Sequence, residues 1–289
     1  MRHDSLEQFL RRGRDVLARG PVGLMLVEDD AEIGSTLRHH LDTGFRAIVV
    51  FAHPEIALPP EADDPRIRTV ATDTLAPDAL TRIVNGCIGA TPRGTWLCYF
   101  YNAEYLFYPF CEHRTVGEMC TFAAEERRDA ILTYVVDLYA GDLDRHPSAV
   151  SIEDAHLDRT GYYALARKTR DGHARERQLD FFGGLRWRFE EHVPPARRRI
   201  DRISLFRARP DLRLRPDHTF SIEEYNTYAC PWHHSITAAL CSFRTAKALR
   251  RNPGSTFDID TFRWRNSTRF TWHSQQLLDL GLMEPGQWF

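Results

Sequence analysis

The sequence predicts an α/β protein built on a doubly wound, mostly parallel sheet with helices on both faces. Two continuous apolar runs, VGLMLV and RAIVVFA, have the length and composition of buried strands. Between them, AEIGSTLRHHLDTGF places Ile33, Leu37 and Leu41 at helical spacing. Gly44 then stands where a helix commonly ends. Buried strands separated by a helix are typical of a βαβ unit with parallel strands.

The same alternation continues along the first half of the chain. RIRTVAT predicts a third strand, and APDALTRIVNG predicts a helix with Pro77 in its first turn and Gly86 at its end. The aromatic stretch GTWLCYFYNAEYLFYP, residues 94–109, predicts one further strand. Thr115 and Glu118 predict a capping box before VGEMCTFAAEERRD, and AILTYVVDLYAG predicts another strand.

The second half has a different pattern. We expect an α/β half over residues 1–141 and an irregular α+β extension over residues 142–289, within one continuous domain. Residues 142–178 are polar and predict loops with short elements. RISLFRARPDLRL and HTFSI predict strands, and SITAALCSFRTAKALRRNPG predicts a helix capped by Ser235.

Composition excludes several classes of function. A formal net charge of -2 gives no bulk attraction to nucleic acid. No apolar run reaches the roughly 18 residues of a transmembrane helix, and the polar N-terminus has no signal-peptide core. The six cysteines form no CxxC pair and are expected to be reduced thiols. These features predict a cytoplasmic protein without a transmembrane segment.

Acidic residues follow the first predicted strand. Glu28, Asp29 and Asp30 stand at its carboxyl end, which is where ligands bind in α/β sheets. They can therefore contact a nucleotide. Alternatively, Asp29 or Asp30 caps the helix that follows, which needs no ligand.

Two segments together resemble family 2-type glycosyltransferases, in a bacterial branch that opens with K-N-E-x-x-x-x-x-E-W-x-x-H-H-x-x-x-G. The segment EDDAEIGSTLRHHLDTGF matches that opening at Asp29, Asp30, His40 and Gly44. A later strand of that branch reads W-x-x-x-x-D-x-D-E-F-L and ends near a proline. The segment WLCYFYNAEYLFYP matches it without a gap at Trp96, Glu104, Tyr105, Leu106 and Pro109. The resemblance covers roughly residues 20 to 250.

The resemblance implies a GT-A fold, a nucleotide-sugar donor, a glycan or other hydroxyl acceptor, inversion at the sugar, and often Mg²⁺ or Mn²⁺. In the gapless register, Tyr101 and Ala103 replace the two metal-binding aspartates of the family, and neither can chelate a hard cation as a carboxylate does. A shifted register places Asn102 and Glu104 there instead. Ala52 also replaces an aspartate that contributes to the nucleotide site of the family.

Several side chains are candidates for the chemistry of such a transfer. Glu104 and Asp137 end predicted strands, so either carboxylate can act as the general base for an acceptor hydroxyl. Arg197, Arg198 and Arg199 form a basic run that can neutralise a diphosphate or contact a membrane surface. His234 can complete a metal site. The structural alternatives are a buried hydrogen bond for the acids, a solvated charged face for the arginines and a structural or solvent-exposed role for the histidine.

The segment DFFGGLRWRFEEHV also has two readings. Aromatic residues beside Gly183 and Gly184 can stack on a sugar and close over it, or they belong to the core. Two hypotheses for the whole chain follow. One is a transferase that uses a nucleotide-sugar. The alternative is a non-catalytic glycosyltransferase-like domain that binds a glycan, a nucleotide or a protein partner.

Overall fold

The computed structural model describes residues 1–227 and 235–288, and the chain is an α/β protein with a large, mostly parallel sheet. The chain divides into two compact units. The first unit comprises Met1–Tyr105, Cys111–Leu132 and Ile203–Asn226, and the second comprises Leu106–Phe110, Thr133–Arg202 and Thr227–Phe289. Within the described ranges, no helix is both long enough and apolar enough to cross a bilayer.

The strands contain between two and nine residues. In chain order they are β1 (Arg2–His3), β2 (Val22–Leu26), β3 (Ala47–Ala52), β4 (Ile67–Ala71), β5 (Trp96–Tyr101), β6 (Glu104–Phe107), β7 (Ala130–Asp137), β8 (Tyr139–Ala140), β9 (Ala155–Asp158), β10 (Tyr163–Lys168), β11 (Ala174–Phe182), β12 (Asp201–Arg207), β13 (Ala238–Ser242) and β14 (Ser267–Arg269).

The helices range from single turns to three turns. They are α1 (Leu6–Arg12), α2 (Ile33–Asp42), α3 (Ala79–Ala90), α4 (Val116–Glu125), α5 (Leu185–Arg188), α6 (Arg244–Arg251), α7 (Pro253–Thr256) and α8 (Ser274–Asp279). The capping box predicted for α4 is confirmed: Thr115 and Glu118 exchange side-chain and backbone hydrogen bonds. Gly44, with φ of 94°, follows the end of α2 as predicted.

The first unit contains the parallel strands that the apolar runs predict. Its strands lie in the order β1-β4-β3-β2-β5-β12. The pairings from β1 to β5 are parallel, and β12 is antiparallel to β5. Every residue of β2, β3 and β5 is buried, which is why these segments read as unbroken apolar runs.

The strand order of the first unit reverses beside β2. The strands β2, β3 and β4 follow one another towards one edge of the sheet, and β5 then lies on the other side of β2. Such a reversal is a topological switch point, and the crevice outside the carboxyl ends of its strands is where α/β sheets bind ligands. The segments that follow β2 and β5 therefore lie at the favoured position for a site.

The second unit is more mixed. Its strand β13 pairs in parallel with β7, in a register that places Ser242 opposite Asp137. Strands β8, β9 and β14 form an antiparallel sheet, and β10 and β11 form a separate two-stranded hairpin. A core cluster packs Tyr139, Leu185, Leu249 and Phe262 together.

Several predicted elements differ from the structure. HTFSI, residues 218–222, forms only an isolated bridge between Leu214 and Phe220, and α3 continues past Gly86 to Ala90. Residues 142–178, predicted as loops with short elements, contain β9, β10 and the start of β11.

Residues 94–109 form two strands rather than one, because a tight turn at Asn102 and Ala103 separates β5 from β6. The segment predicted as a helix from Ser235 begins instead with strand β13, and helix α6 starts only at Arg244. The run AALCS is buried along its whole length, and tertiary pairing with β7 outweighs its helical propensity.

The core of the first unit contains a buried titratable histidine, His40. His40, in α2, is fully buried, and its ring stacks on Phe100 with 3.7 Å between the ring centroids. Its Nδ1 lies 2.8 Å from the carbonyl oxygen of Thr36, so that nitrogen acts as the donor. Burial holds the pKa of His40 well below its ordinary value, and the ring stays neutral in the folded state.

We expect the free energy of unfolding to fall as the pH drops below about 6.5, because the unfolded chain then binds a proton that folded His40 excludes. Urea denaturation at pH 7.5 and pH 5.5 measures this effect. Between these pH values, His40→Phe should lose less of its free energy of unfolding than the wild type. The exposed His173→Gln is the control and should behave as the wild type. Equal pH dependence in wild type and His40→Phe would exclude this role for His40.

Candidate functional site

Two segments of the first unit meet at the switch point, where the carboxyl ends of β2 and β5 lie side by side. One is the loop of residues 28–31 after β2, and the other is the turn between β5 and β6. The register pairs Leu26 of β2 with Tyr101 of β5, so both strands reach their ends side by side. The two acidic and polar sequences that resemble glycosyltransferase motifs are therefore neighbours in space.

Asn102 joins these two segments. Its side-chain oxygen accepts a hydrogen bond from the amide of Glu28 at 2.9 Å. Its side-chain nitrogen lies within hydrogen-bond distance of the Asp29 carboxylate at 2.6 Å, the Asp29 carbonyl at 3.2 Å and the Ala31 carbonyl at 2.8 Å. Asn102 is 0% exposed, so its amide group is used to fix the loop after β2.

The rest of the turn is equally packed. Ala103 has φ of 57°, and its amide donates a hydrogen bond to the Thr36 hydroxyl at 2.9 Å. The Glu104 carboxylate accepts a hydrogen bond from the Tyr101 amide at 2.9 Å. Glu104 is 0% exposed. The structure thus gives Glu104 a buried role in closing the turn, which was the structural alternative for this acid.

The acids after β2 differ in their surroundings. Asp29 is half-buried and accepts a hydrogen bond from the amide of Ala31 at 3.1 Å, in addition to the contact with Asn102. Asp30 is exposed. Helix α2 has Glu32 at its N-cap position without a side-chain cap, so neither Asp29 nor Asp30 caps the helix as the alternative reading proposed.

The residues of this turn do not fit a divalent metal of the D-x-D type. The side chains of Tyr101 and Ala103 offer no carboxylate, and the Asn102 amide is engaged by the loop after β2. The carboxylate of Glu104 faces back to the Tyr101 amide. In the part of the chain that the structure describes, no group of three or more His, Cys, Asp or Glu side chains could hold a metal ion. His234, the predicted metal ligand, lies outside the described residues.

A cavity of about 760 Å³ lies in the first unit where β3 and β4 end. Ala52 and Ala71, the last residues of those strands, are part of its lining. Polar side chains also line it, among them Arg2, His53, Glu55, Asp63 and Thr69. This volume is within the usual range for a site that holds a small ligand. Sequence reasoning missed the cavity, although the Pro-rich loop after RAIVVFA was the signal available.

Asp137 lies in the second unit, at the last position of β7. It is 1% exposed, and its Oδ1 lies 3.7 Å from the Nε of Arg186. The Arg186 amide donates to Oδ2 at 3.4 Å. Burial raises the pKa of Asp137, and the charge of Arg186 opposes that rise. The Gly183-Gly184 pair packs against this acid and against Tyr162, which explains the glycines without a closing loop.

A second buried acid of this unit was not found from sequence. Asp158 is 1% exposed and accepts hydrogen bonds from the Tyr139 hydroxyl at 2.6 Å and the Trp264 indole at 2.7 Å. The Nη1 of Arg188 lies 3.1 Å and 3.2 Å from its two oxygens. These partners come from three separate segments, so no local spacing could reveal them. The network satisfies the charge that the fold buries.

The basic run of the second unit is partly committed to local contacts. Arg198 donates to the Val193 carbonyl at 2.9 Å and pairs with Glu190 at 3.2 Å. Arg199 pairs with Asp180 at 2.8 Å. Arg197 is exposed on a short 3-10 turn. The structure therefore divides the run into a solvent-facing residue and two that fix the segment.

No protein-family model matches the sequence, and a comparison with curated proteins finds no match. A function must therefore be inferred from the switch point and the cavity of the first unit. The other predicted site residues, Asp137, Arg197 and Arg198, are described within the second unit alone.

Replacement of Asn102 by alanine should loosen the loop after β2. The change removes the hydrogen bonds of the Asn102 side chain to the Glu28 amide and the Ala31 carbonyl, and we expect a loss of about 1–3 kcal/mol in the free energy of unfolding. Hydrogen exchange at the Glu28 amide should become faster. Asn85→Ala is the matched control, because Asn85 also bonds a backbone amide and carbonyl, those of Leu214. Unchanged Glu28 exchange in Asn102→Ala would contradict this role.

Gly184→Ala should destabilise the second unit more than a matched glycine replacement. Gly184 has φ of 63° and ψ of -150°, a region that is essentially restricted to glycine, and an added Cβ would lie 2.9 Å from the Asp137 carboxylate. The control is Gly281→Ala, since Gly281 has φ of 67° and no atom within 4 Å of an added Cβ. We expect the difference between the two losses to exceed about 1 kcal/mol by urea denaturation. Equal losses would exclude the close packing on Asp137 as the cause.

Proposed function

We propose that the protein is a glycosyltransferase-like protein with a GT-A-type architecture, which binds a nucleotide-sugar at the carboxyl edge of its first unit. The observation that carries this proposal is the topological switch point between β2 and β5, at an edge that also has a cavity of about 760 Å³. In open α/β sheets this edge is the general position of nucleotide sites. The resemblance to family 2-type sequences falls on the same two segments.

In this proposal the cavity holds the nucleoside part of the nucleotide-sugar. A nucleoside fits its volume, and His53, Glu55 and Thr69 supply donors and acceptors for a base and a ribose. The exposed carboxylate of Asp30 lies in the loop after the adjacent strand β2, and it can accept hydrogen bonds from ribose hydroxyls. In this proposal Ala52, in the cavity lining, leaves room that the aspartate of the family occupies.

The transfer itself follows from the class of donor. An acceptor hydroxyl oxygen attacks the anomeric carbon, the bond from that carbon to the phosphate oxygen breaks, and the nucleoside diphosphate leaves with the electron pair. The hydroxyl proton passes to a carboxylate, and attack opposite the leaving group inverts the anomeric centre. Glu104 is fully buried and bonded to the Tyr101 amide, so this side chain is not assigned as the base. No step is assigned to a metal.

A second candidate function is a non-catalytic domain that binds a glycan, a nucleotide or a protein partner. The packed turn between β5 and β6 favours this second candidate. Asn102 and Glu104 are both 0% exposed and make structural hydrogen bonds at the positions where the glycosyltransferase family that the sequence resembles binds a metal. Both candidates share the cavity as a binding site. They differ in whether bound donor is consumed.

Calorimetric titration with UDP- and GDP-sugars, with and without Mn²⁺, tests the shared site. We expect binding that does not require Mn²⁺, because the described residues of the turn form no carboxylate pair for it. Ala71→Phe places a ring in the cavity lining and should weaken binding at least tenfold. Ala90→Phe, at the end of α3 and outside that lining, is the matched control and should bind as the wild type.

The outcomes separate the candidates. Binding accompanied by slow release of free nucleoside diphosphate in the presence of a glycan acceptor supports a transferase. Binding without any turnover supports the non-catalytic domain. Absence of nucleotide binding in the wild type, or equal binding in Ala71→Phe, would overturn the proposed site.

A further inference from the structure

The hairpin of residues 163–182 in the second unit, here called the basic hairpin, is exposed along most of its length. In β10, Arg167 is half-buried and the other five residues are exposed. Residues 168–174 continue this exposure around the turn, apart from the half-buried Thr169. The hairpin forms a sheet of two strands by itself. A hairpin that buries so little surface is not explained by core packing.

The end of the basic hairpin has a charge opposite to that of the whole chain. Residues 168–177 contain four basic side chains and two acidic ones, a net charge of +2, whereas the chain has -2. The basic residues are Lys168, Arg170, Arg175 and Arg177. The backbone bridge between Phe182 and Arg199 places the last residue of the basic run 197–199 beside the base of the hairpin. Charge is therefore concentrated on one projecting element.

Exposed apolar side chains accompany this charge. Tyr163 is 45% exposed, Leu165 is 56% exposed, and Trp187 is 40% exposed. Tyr163 stacks on Phe182 with 5.2 Å between ring centroids, and Trp187 packs against Gly161, two residues before Tyr163. Along an extended strand, Leu165 lies about 10 Å from Lys168. Aromatic and leucine side chains next to basic ones are the composition of surfaces that enter the membrane interface.

The base of the basic hairpin is held rigidly. Arg167 donates to Asp180 at 2.7 Å and to Asp201 at 2.7 Å, and Asp180 also pairs with Arg199 at 2.8 Å. The amide of Phe181 donates to Asp201 at 2.8 Å. These buried and half-buried contacts fix the direction of the strands. They leave the basic end of the hairpin projecting from a stable support.

The charge and the exposed apolar side chains of the basic hairpin favour an anionic bilayer over a second copy of the chain as its partner. Pairing with a second copy through β10 is opposed by like charges, by Lys168 on the strand and by the register irregularity between Ala166 and Lys168. An anionic surface complements the charge, and an apolar phase beside that charge complements the exposed Tyr163, Leu165 and Trp187. An anionic phospholipid bilayer offers both.

We propose that the basic hairpin docks the protein on the surface of an anionic phospholipid bilayer. The basic side chains contact lipid phosphates, and the exposed Leu165 and Trp187 enter the headgroup region. Each basic side chain near such a surface contributes severalfold to binding, and salt weakens the contribution. This docking does not depend on the proposed nucleotide site.

Co-sedimentation of the full chain with vesicles tests this docking. We expect binding to vesicles of phosphatidylcholine with about 30% phosphatidylserine, little binding to pure phosphatidylcholine, and release between about 50 and 500 mM salt. Lys168→Gln with Arg170→Gln should reduce partitioning roughly tenfold to thirtyfold. Arg93→Gln with Arg215→Gln removes two exposed arginines of the first unit and is the matched control. A second variant, Leu165→Ser, tests the apolar contribution.

Each outcome decides the proposal. Loss of binding in the hairpin double variant and in Leu165→Ser, with unchanged thermal unfolding and unchanged nucleotide titration, supports it. Equal binding to neutral and anionic vesicles overturns it, as does an equal effect of the control variant. If the protein is retained on heparin or on an acidic protein but does not bind vesicles, the partner of the hairpin is a soluble polyanion rather than a bilayer. This outcome also overturns the proposal.

Discussion

The hydrogen bonds of the Asn102 side-chain amide hold together the carboxyl edge of the sheet in the first unit. A buried amide must find partners for its oxygen and its nitrogen, and here the loop after β2 supplies all of them. The end of β5 is thereby tied to the end of β2 at the point where the strand order reverses. The same amide also bonds the Asp29 carboxylate, which in addition accepts a hydrogen bond from the Ala31 amide.

The same contact restricts the chemistry of the edge. A side chain that closes a turn inside the protein is not available to a substrate, and Glu104 is in the same situation through its bond to the Tyr101 amide. A positive φ at Ala103 and a bond from its amide to Thr36 complete a compact turn. The ligand binding that we propose at this edge therefore uses the loop after β3 and the cavity that it lines, rather than the turn.

The second unit uses buried charge in a different way. Asp158 and Asp201 are each surrounded by donors from distant segments, and such networks fix segment positions without requiring a ligand. Gly184 gives the backbone its close approach to Asp137. The rigid framework that results contrasts with the basic hairpin, whose side chains face solvent. The contact with a bilayer that we propose uses these exposed side chains of the basic hairpin.

The sequence by itself determined those elements whose signal lies within a few neighbouring residues. Buried parallel strands such as β2 and β3 read as continuous apolar runs, and the capping box of Thr115 and Glu118 needs only its own spacing. The tertiary structure alone decided which polar residues are accessible. The sequence YNAEY has the same letters whether it opens on a cleft or closes a turn. In the folded chain, residues 28–31 bond Asn102, the Thr36 hydroxyl bonds the Ala103 amide, and both Asn102 and Glu104 are buried. Strand β13 was decided in the same way, because its pairing partner β7 lies about a hundred residues earlier in the chain.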